Sequence, residues 1–204
     1  MKSRLCNLLL LITILTAPLT ATAATPNYRG SCTITFQVQK TIIKDFSGTA
    51  ACEPFEVTVV DDMVRIPVVA AQVATMDTGN SKRDKDMRSM FEYETFPRIT
   101  GETEAFAADR LFTPEGNLVE MPEELTFTLT IRDVTQTITA TVTEPHIDSS
   151  AIEATLVFDL SLSSFELDPP SFMRLVRVKD TVKVTATVSL DKNPTSTSMP
   201  PAQE

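Results

Sequence analysis

The run "LTFTLTIRDVTQTITATVT", residues 125–143, alternates apolar and polar side chains at nearly every step. Phe127, Leu129 and Ile131 fall on one side, with Thr126, Thr128 and Thr130 on the other. Past Arg132-Asp133 the period returns, with Ile138, Ala140 and Val142 set against Thr137, Thr139 and Thr141. Successive side chains of a strand point to opposite faces, so each segment is predicted to be a strand with one apolar and one wet face. The pattern spreads outward in both directions. Ala154, Leu156, Phe158, Leu160 and Leu162 share a face, as do Val182, Val184, Ala186, Val188 and Leu190, and, earlier, Ile34, Phe36 and Val38. Antiparallel sheets tolerate water on one side. Many such strands in succession indicate a sandwich or a closed barrel.

The chain opens differently. Lys2 and Arg4 precede the apolar run "LLLLITIL" (Leu8–Leu15), and Ala21-Thr22-Ala23 offers a small-x-small cleavage pattern. This predicts a secretory signal over residues 1–23, cleaved near Ala23, because a membrane span needs about 20 apolar residues. The remaining length of about 180 residues suits one domain with a substantial core. The formal charge of −9 becomes more negative once Lys2 and Arg4 leave. An acidic chain excludes nucleic acid as a natural partner, since Lys and Arg supply most of that affinity. Cys32 and Cys52 are the two cysteines beyond the leader. If "SCTITFQVQ" pairs with "DFSGTAACE" in a hairpin centred near Ile42, residues whose numbers sum to 84 face each other. Cys32 then meets Cys52 and Phe36 meets Gly48, which in an exported chain suggests a structural disulfide. The alternative is two free buried thiols.

Three segments break the strand pattern. Ser81 to about Glu92 reads as a short helix, with Ser81 and Asp84 spaced like a capping box and Arg83, Met87 and Met90-Phe91 at helical spacing. Residues 111–124 carry Pro, Gly and Asn and read as a long loop. The Pro- and Ser/Thr-rich tail, residues 191–204, has almost nothing to bury and is expected to be disordered. Small residues sit at presumed inner positions (Ala70, Ala74, Ala140, Ala154 and Ala186), which leaves room inside a barrel unless they face a close neighbour. His146, alone among polar turn residues, has no nucleophile-elbow sequence beside it. His146, Asp148 and Asp61-Asp62 lack metal-ligand spacing. The sequence does not read as an enzyme, and neither metal nor cofactor is expected.

The segment "DTGNSKRDKDMRSMFEYETFP", residues 77–97, resembles the signature of the YceI-like family. Those are exported, lipocalin-like proteins that bind polyisoprenoid or other long-chain lipids. The matching places are Asp77-Thr78, Arg83-Asp84, Met87-Arg88-Ser89, Phe91 and Phe96-Pro97. "LTIRDVTQTITATVT" resembles the hairpin of that family, and "SSFELDPPSF" its approach to the last strand. The resemblance runs from Ser31 to Leu190. Asp86 stands where the family commonly has His, and Asp133 where it has the hairpin Gly, a place that Asp tolerates less well than Gly.

The resemblance implies an all-β protein, an antiparallel lipocalin-like barrel of about eight strands over residues 24–190, with the helix near residues 81–92. It implies a periplasmic location and a long-chain lipid or isoprenoid as the non-covalent ligand, for transport or storage. The lipid-facing positions would be Phe36, Met87, Met90, Phe91, Phe127, Leu129, Ala140, Leu156, Phe158 and Ala186. Arg83 and Asp84 would be a structural pair, one or both holding the helix against the barrel rim by charge-assisted hydrogen bonds; the alternative is direct contact with the ligand. Met87, Met90 and Phe91 suit either a lipid surface or ordinary core under a helix. Transient membrane contact and a homodimer through an open edge strand stay open. A second reading is an interaction protein with a filled core, acting through its acidic surface and loops.

Overall fold

The computed structural model describes residues 27–40, 45–110, 121–148, 150–168 and 178–192. Its strands are β1 (Asn27–Lys40), β2 (Phe46–Ala51), β3 (Phe55–Val60), β4 (Met63–Arg65), β5 (Val69–Gln72) and β6 (Arg98–Glu102). They continue as β7 (Phe106–Ala107), β8 (Glu124–Ile131), β9 (Val134–Ile147), β10 (Ala151–Ser161) and β11 (Val178–Lys192). One helix, α1 (Ser81–Met90), stands between β5 and β6.

All the strands belong to one antiparallel sheet, with the path β5-β6-β8-β9-β10-β11-β1-β3-β4-β7 and β2 paired to β1 beside it. The path therefore holds ten strands, with β2 as an eleventh, rather than about eight. The excess arises at β1, whose length lets it serve two neighbours on one edge. Its first residues pair with β3 (Gly30 opposite Phe55) and its later ones with β2 (Phe36 opposite Gly48), while β11 takes the other edge. The short β4 and β7 then extend the β3 side.

Curling of the sheet into a half-barrel brings β2 back to the β5 flank. Isolated bridges join Thr49 to Asp77 and Cys52 to Ala71. Thr49 and Asp77 exchange backbone hydrogen bonds of 2.8 and 2.9 Å, and Glu53 N donates to Ala70 O at 2.7 Å. The β1–β2 ladder follows the expected register from Thr33 opposite Ala51 to Val38 opposite Phe46. Cys32 and Cys52 are joined in a disulfide, with Cα atoms 5.1 Å apart. The hairpin centre at Ile42 lies outside the described residues. Gly48 is required where it stands, because a Cβ there would lie 2.2 Å from the Phe36 ring. Phe36 can thus lie flat across β2.

Turn chemistry departs from the usual glycines. The two-residue turn of the β3–β4 hairpin uses Asp61 and Asp62, both with positive φ. In the β8–β9 hairpin the positive φ of 55° falls on Arg132, not on Asp133. Arg132 also reaches Glu92 at 2.9 Å, tying this hairpin to the turn after α1.

The helix differs in detail from its expected form. Its N-cap is Asn80, whose side chain accepts from Arg83 N at 3.0 Å, rather than a capping box opened at Ser81. Asp84 is instead committed to Thr78, accepting from its N–H at 3.0 Å and its hydroxyl at 2.6 Å. The helix ends at Met90, because Glu92 adopts φ 50°. Asn80→Ala is expected to lower stability by about 1 kcal/mol, the usual worth of an N-cap, as checked by urea denaturation.

Three more expectations need correction. Ala74 is exposed, since a 3₁₀ turn at Val73–Thr75 interrupts the alternation and buries Val73 instead. His146 lies in β9, opposite Glu153, rather than in a turn. β11 runs to Lys192, two residues past the expected boundary of the domain. The leader, most of the long loop and the rest of the tail lie outside the described residues.

Carboxylates fix two exposed turns. Asp180 accepts from the Ser161 hydroxyl and from Ser163 N–H, both at 2.7 Å. Asp148 accepts from Ser150 N–H, the Ser150 hydroxyl and Ala151 N–H. These bonds hold both carboxyls below the ordinary carboxylate range. A depressed folded value contributes stability that is present above the unfolded pKa and lost as pH falls through the folded one. The melting temperature is therefore expected to fall on acidification below about pH 4. Asp180→Asn should make that fall shallower.

Candidate ligand-binding cavity

The inward faces are not filled in the usual way. Ile34, Phe36, Phe127, Leu156 and Phe158 occupy inward places in long strands, yet each is only half-buried. A large apolar side chain that faces a packed core loses nearly all its exposure. These retain it because they face open space. That space forms two adjoining cavities.

The outer cavity, about 440 Å³, lies at the α1 end. Phe36 and Phe46 line it from β1 and β2, Leu129 and Phe158 from β8 and β10, and Met87, Met90 and Phe91 from the helix region. The inner cavity, about 250 Å³, is bounded by Tyr28, Leu125, Phe127, Leu156, Ala186 and the disulfide, among others. Ile34, Ala71, Ile99, Leu129 and Phe158 belong to both walls. Phe158 meets Phe127 edge to face, with centroids 5.5 Å apart and planes at 79°, which fixes the ring at this shared wall. Helix α1 caps the outer end because Asp84 anchors its first turn to Thr78, next to the Asp77 bridge that joins the flanks. The charged break in the strand pattern is thus the piece that shapes the mouth.

The outer volume falls in the range of small-molecule pockets, roughly 300–1,000 Å³. Apolar cavities of even about 150 Å³ stay dry and take up apolar guests. The chemistry on offer is apolar burial. The hydroxyl of Thr103, on the inner wall, is buried without a hydrogen-bond partner. Tyr28, also on that wall, has its phenol pushed up by burial. Among the described residues no group of His, Cys, Asp and Glu could hold a metal ion. His146 is exposed, 4.0 Å from Asp148. No helix among the described residues is long and apolar enough to cross a membrane.

Of the positions expected to face ligand, Phe36, Met87, Met90 and Phe91 line the outer cavity. Phe127, Leu156 and Ala186 line the inner one, and Leu129 and Phe158 line both. Ala140 lines neither; it is wholly buried, opposite Leu125. Of Arg83 and Asp84, the second is the one that ties the helix down. Arg83 lies 4.1 Å from the centroid of the Phe46 ring and faces the outer cavity. Sequence reasoning missed Phe46 and Lys40. Both were legible: Phe46 is the register partner of Val38, and Lys40 continues the face of Phe36 and Val38.

A half-barrel of antiparallel strands, capped by a helix over an apolar interior, is a lipocalin-like architecture with room inside it. The family model for the YceI-like domain matches residues 28–190. The chain belongs to the YceI-like family. Its fold is similar to that of Burkholderia cenocepacia BcnA (TM-score 0.54, 15% identity, covering 78% of this chain and 95% of that one). It is also similar to a polyisoprenoid-binding domain from Saccharophagus degradans implicated in plant cell wall breakdown (TM-score 0.58, 11% identity, covering 82% and 98%). No curated protein matches the chain.

Proposed function

We propose that this chain binds a long-chain isoprenoid or related lipid in its two adjoining cavities, without catalysis, as an exported carrier or store. The observation that carries the reading is the half-buried state of Phe36, Leu156 and Phe158 in mid-strand, around apolar space. Membership of the YceI-like family supports it, as does likeness to a polyisoprenoid-binding domain. The physical need is plain. At about 0.8 kcal/mol per CH₂, a chain of roughly 40 carbons would cost on the order of 30 kcal/mol to expose to water. An apolar interior replaces the bilayer during transit or storage. The leader pattern of residues 1–23 supports export, and the family a periplasmic site of action.

Native mass spectrometry of the chain, made without detergent in an exporting host, tests this. A discrete co-purifying apolar species, identified after extraction, is the expected result. A clean apo mass, with no uptake from added isoprenoids or fatty acids, would instead favour the interaction protein with a filled core.

A further inference from the structure

We infer that the ligand is an anionic amphiphile with a single apolar chain, its carboxylate or phosphate held at the mouth of the outer cavity by Lys40 and Arg83. This rests on the binding function proposed above and adds the head group and its orientation. The chain is acidic overall, with a net charge of −9. Yet the outer cavity is lined by Lys40, Lys82 and Arg83 against a single carboxylate, Asp86. The inner wall carries Glu102 as its one charged residue. An anion therefore finds cations at one end of the interior and repulsion at the other.

The geometry at Phe46 is more specific than the charge count. The Lys40 ammonium lies 4.7 Å from the Phe46 ring centroid and the Arg83 guanidinium 4.1 Å from it. The two cations come from the end of β1 and the first turn of α1 and meet on one ring. Both residues are half-buried. Neither cationic group makes an ion pair or hydrogen bond to another described residue. The bonds recorded for Lys40 and Arg83 use their backbone N–H, to Asp45 and Asn80. Stacking on a ring occupies the face of a guanidinium and leaves its edge donors for an oxyanion. Like charges over one ring repel, and an anion that bonds to both offsets that repulsion. With the head fixed there, the tail runs past Phe158 into the inner cavity.

The test is displacement of N-phenyl-1-naphthylamine from the delipidated protein by matched pairs: oleate against oleyl alcohol, and farnesyl phosphate against farnesol. An anion is expected to displace the dye at about tenfold lower concentration than its alcohol. Which pair shows the preference separates a carboxylate from a phosphate head. K40Q/R83Q should bring the ratio towards one, K40R/R83K should keep it, and Asp86→Asn should raise it. Salt at about 1 M should lower the ratio in the unaltered chain, which keeps the test open if a variant fails to fold. Equal displacement by anions and alcohols overturns the head-group assignment and leaves lipid binding standing. Displacement by none of the four overturns both. A preference that survives K40Q/R83Q and vanishes in Thr103→Val would place the head in the inner cavity and overturn the assignment.

Discussion

Ala71→Phe is expected to reduce ligand uptake more than tenfold while the chain stays folded. Ala71 lies in β5, is 6% exposed and belongs to the wall of both cavities. A benzyl group placed there enters the passage between them. It is about the size of the guest that a cavity of roughly 150 Å³ accepts. The substitution should therefore fill space that a ligand would use, with a small change in stability. Ala140→Phe is the control. Ala140 is 0% exposed and borders neither cavity, so added volume there should cost about 1–3 kcal/mol by overpacking. Binding of a fluorescent apolar probe and urea denaturation, measured on both variants, check the pair. A filled core would make both substitutions equally destabilising, and that outcome would remove the cavity from the account.

C32A/C52A is expected to lower stability by about 3 kcal/mol. The bridge closes a loop with a sequence separation of 20, and loops of that length gain about this much in the chain-entropy model. For a domain of this size, that is a fall in melting temperature on the order of 10 °C. The consequence reaches beyond stability. Cys52 also forms the isolated bridge to Ala71, next to the hydrogen bond from Glu53 N to Ala70 O. Both cysteines line the inner cavity. Loss of the bridge should loosen β2 from β5 and speed ligand release, read as a higher dissociation rate of the probe. Reduction of the native chain should reproduce both effects. An unchanged melting temperature would mean that the register of the ladder holds this flank without the bond.

Much of the fold was legible because strand periodicity is local. The inward faces of β8, β9, β10 and β11 follow the alternation in the sequence, with Leu129, Ala140, Leu160 and Val182 buried. The helix was legible because charged residues and methionines at helical spacing interrupt that alternation, although its cap moved to Asn80. The site was legible only in part. Nine of the ten residues expected to face ligand line a cavity, and Ala140 does not. Alternation states which way a side chain points. It carries no information on what lies across the curl.

The sequence by itself determined the antiparallel strands, the apolar face of each, the register of the β1–β2 ladder and, through it, the cysteine pair. These depend on a period of two residues and on pairing between strands that follow one another in the chain, where near neighbours constrain one another. Only the tertiary structure decided that β1 serves both β2 and β3, that Ala71 faces space while Ala140 faces packing, and that Lys40 and Arg83 converge on Phe46. Those outcomes are set where strands far apart in the chain are brought together by the curl of the sheet, and no local pattern encodes that distance.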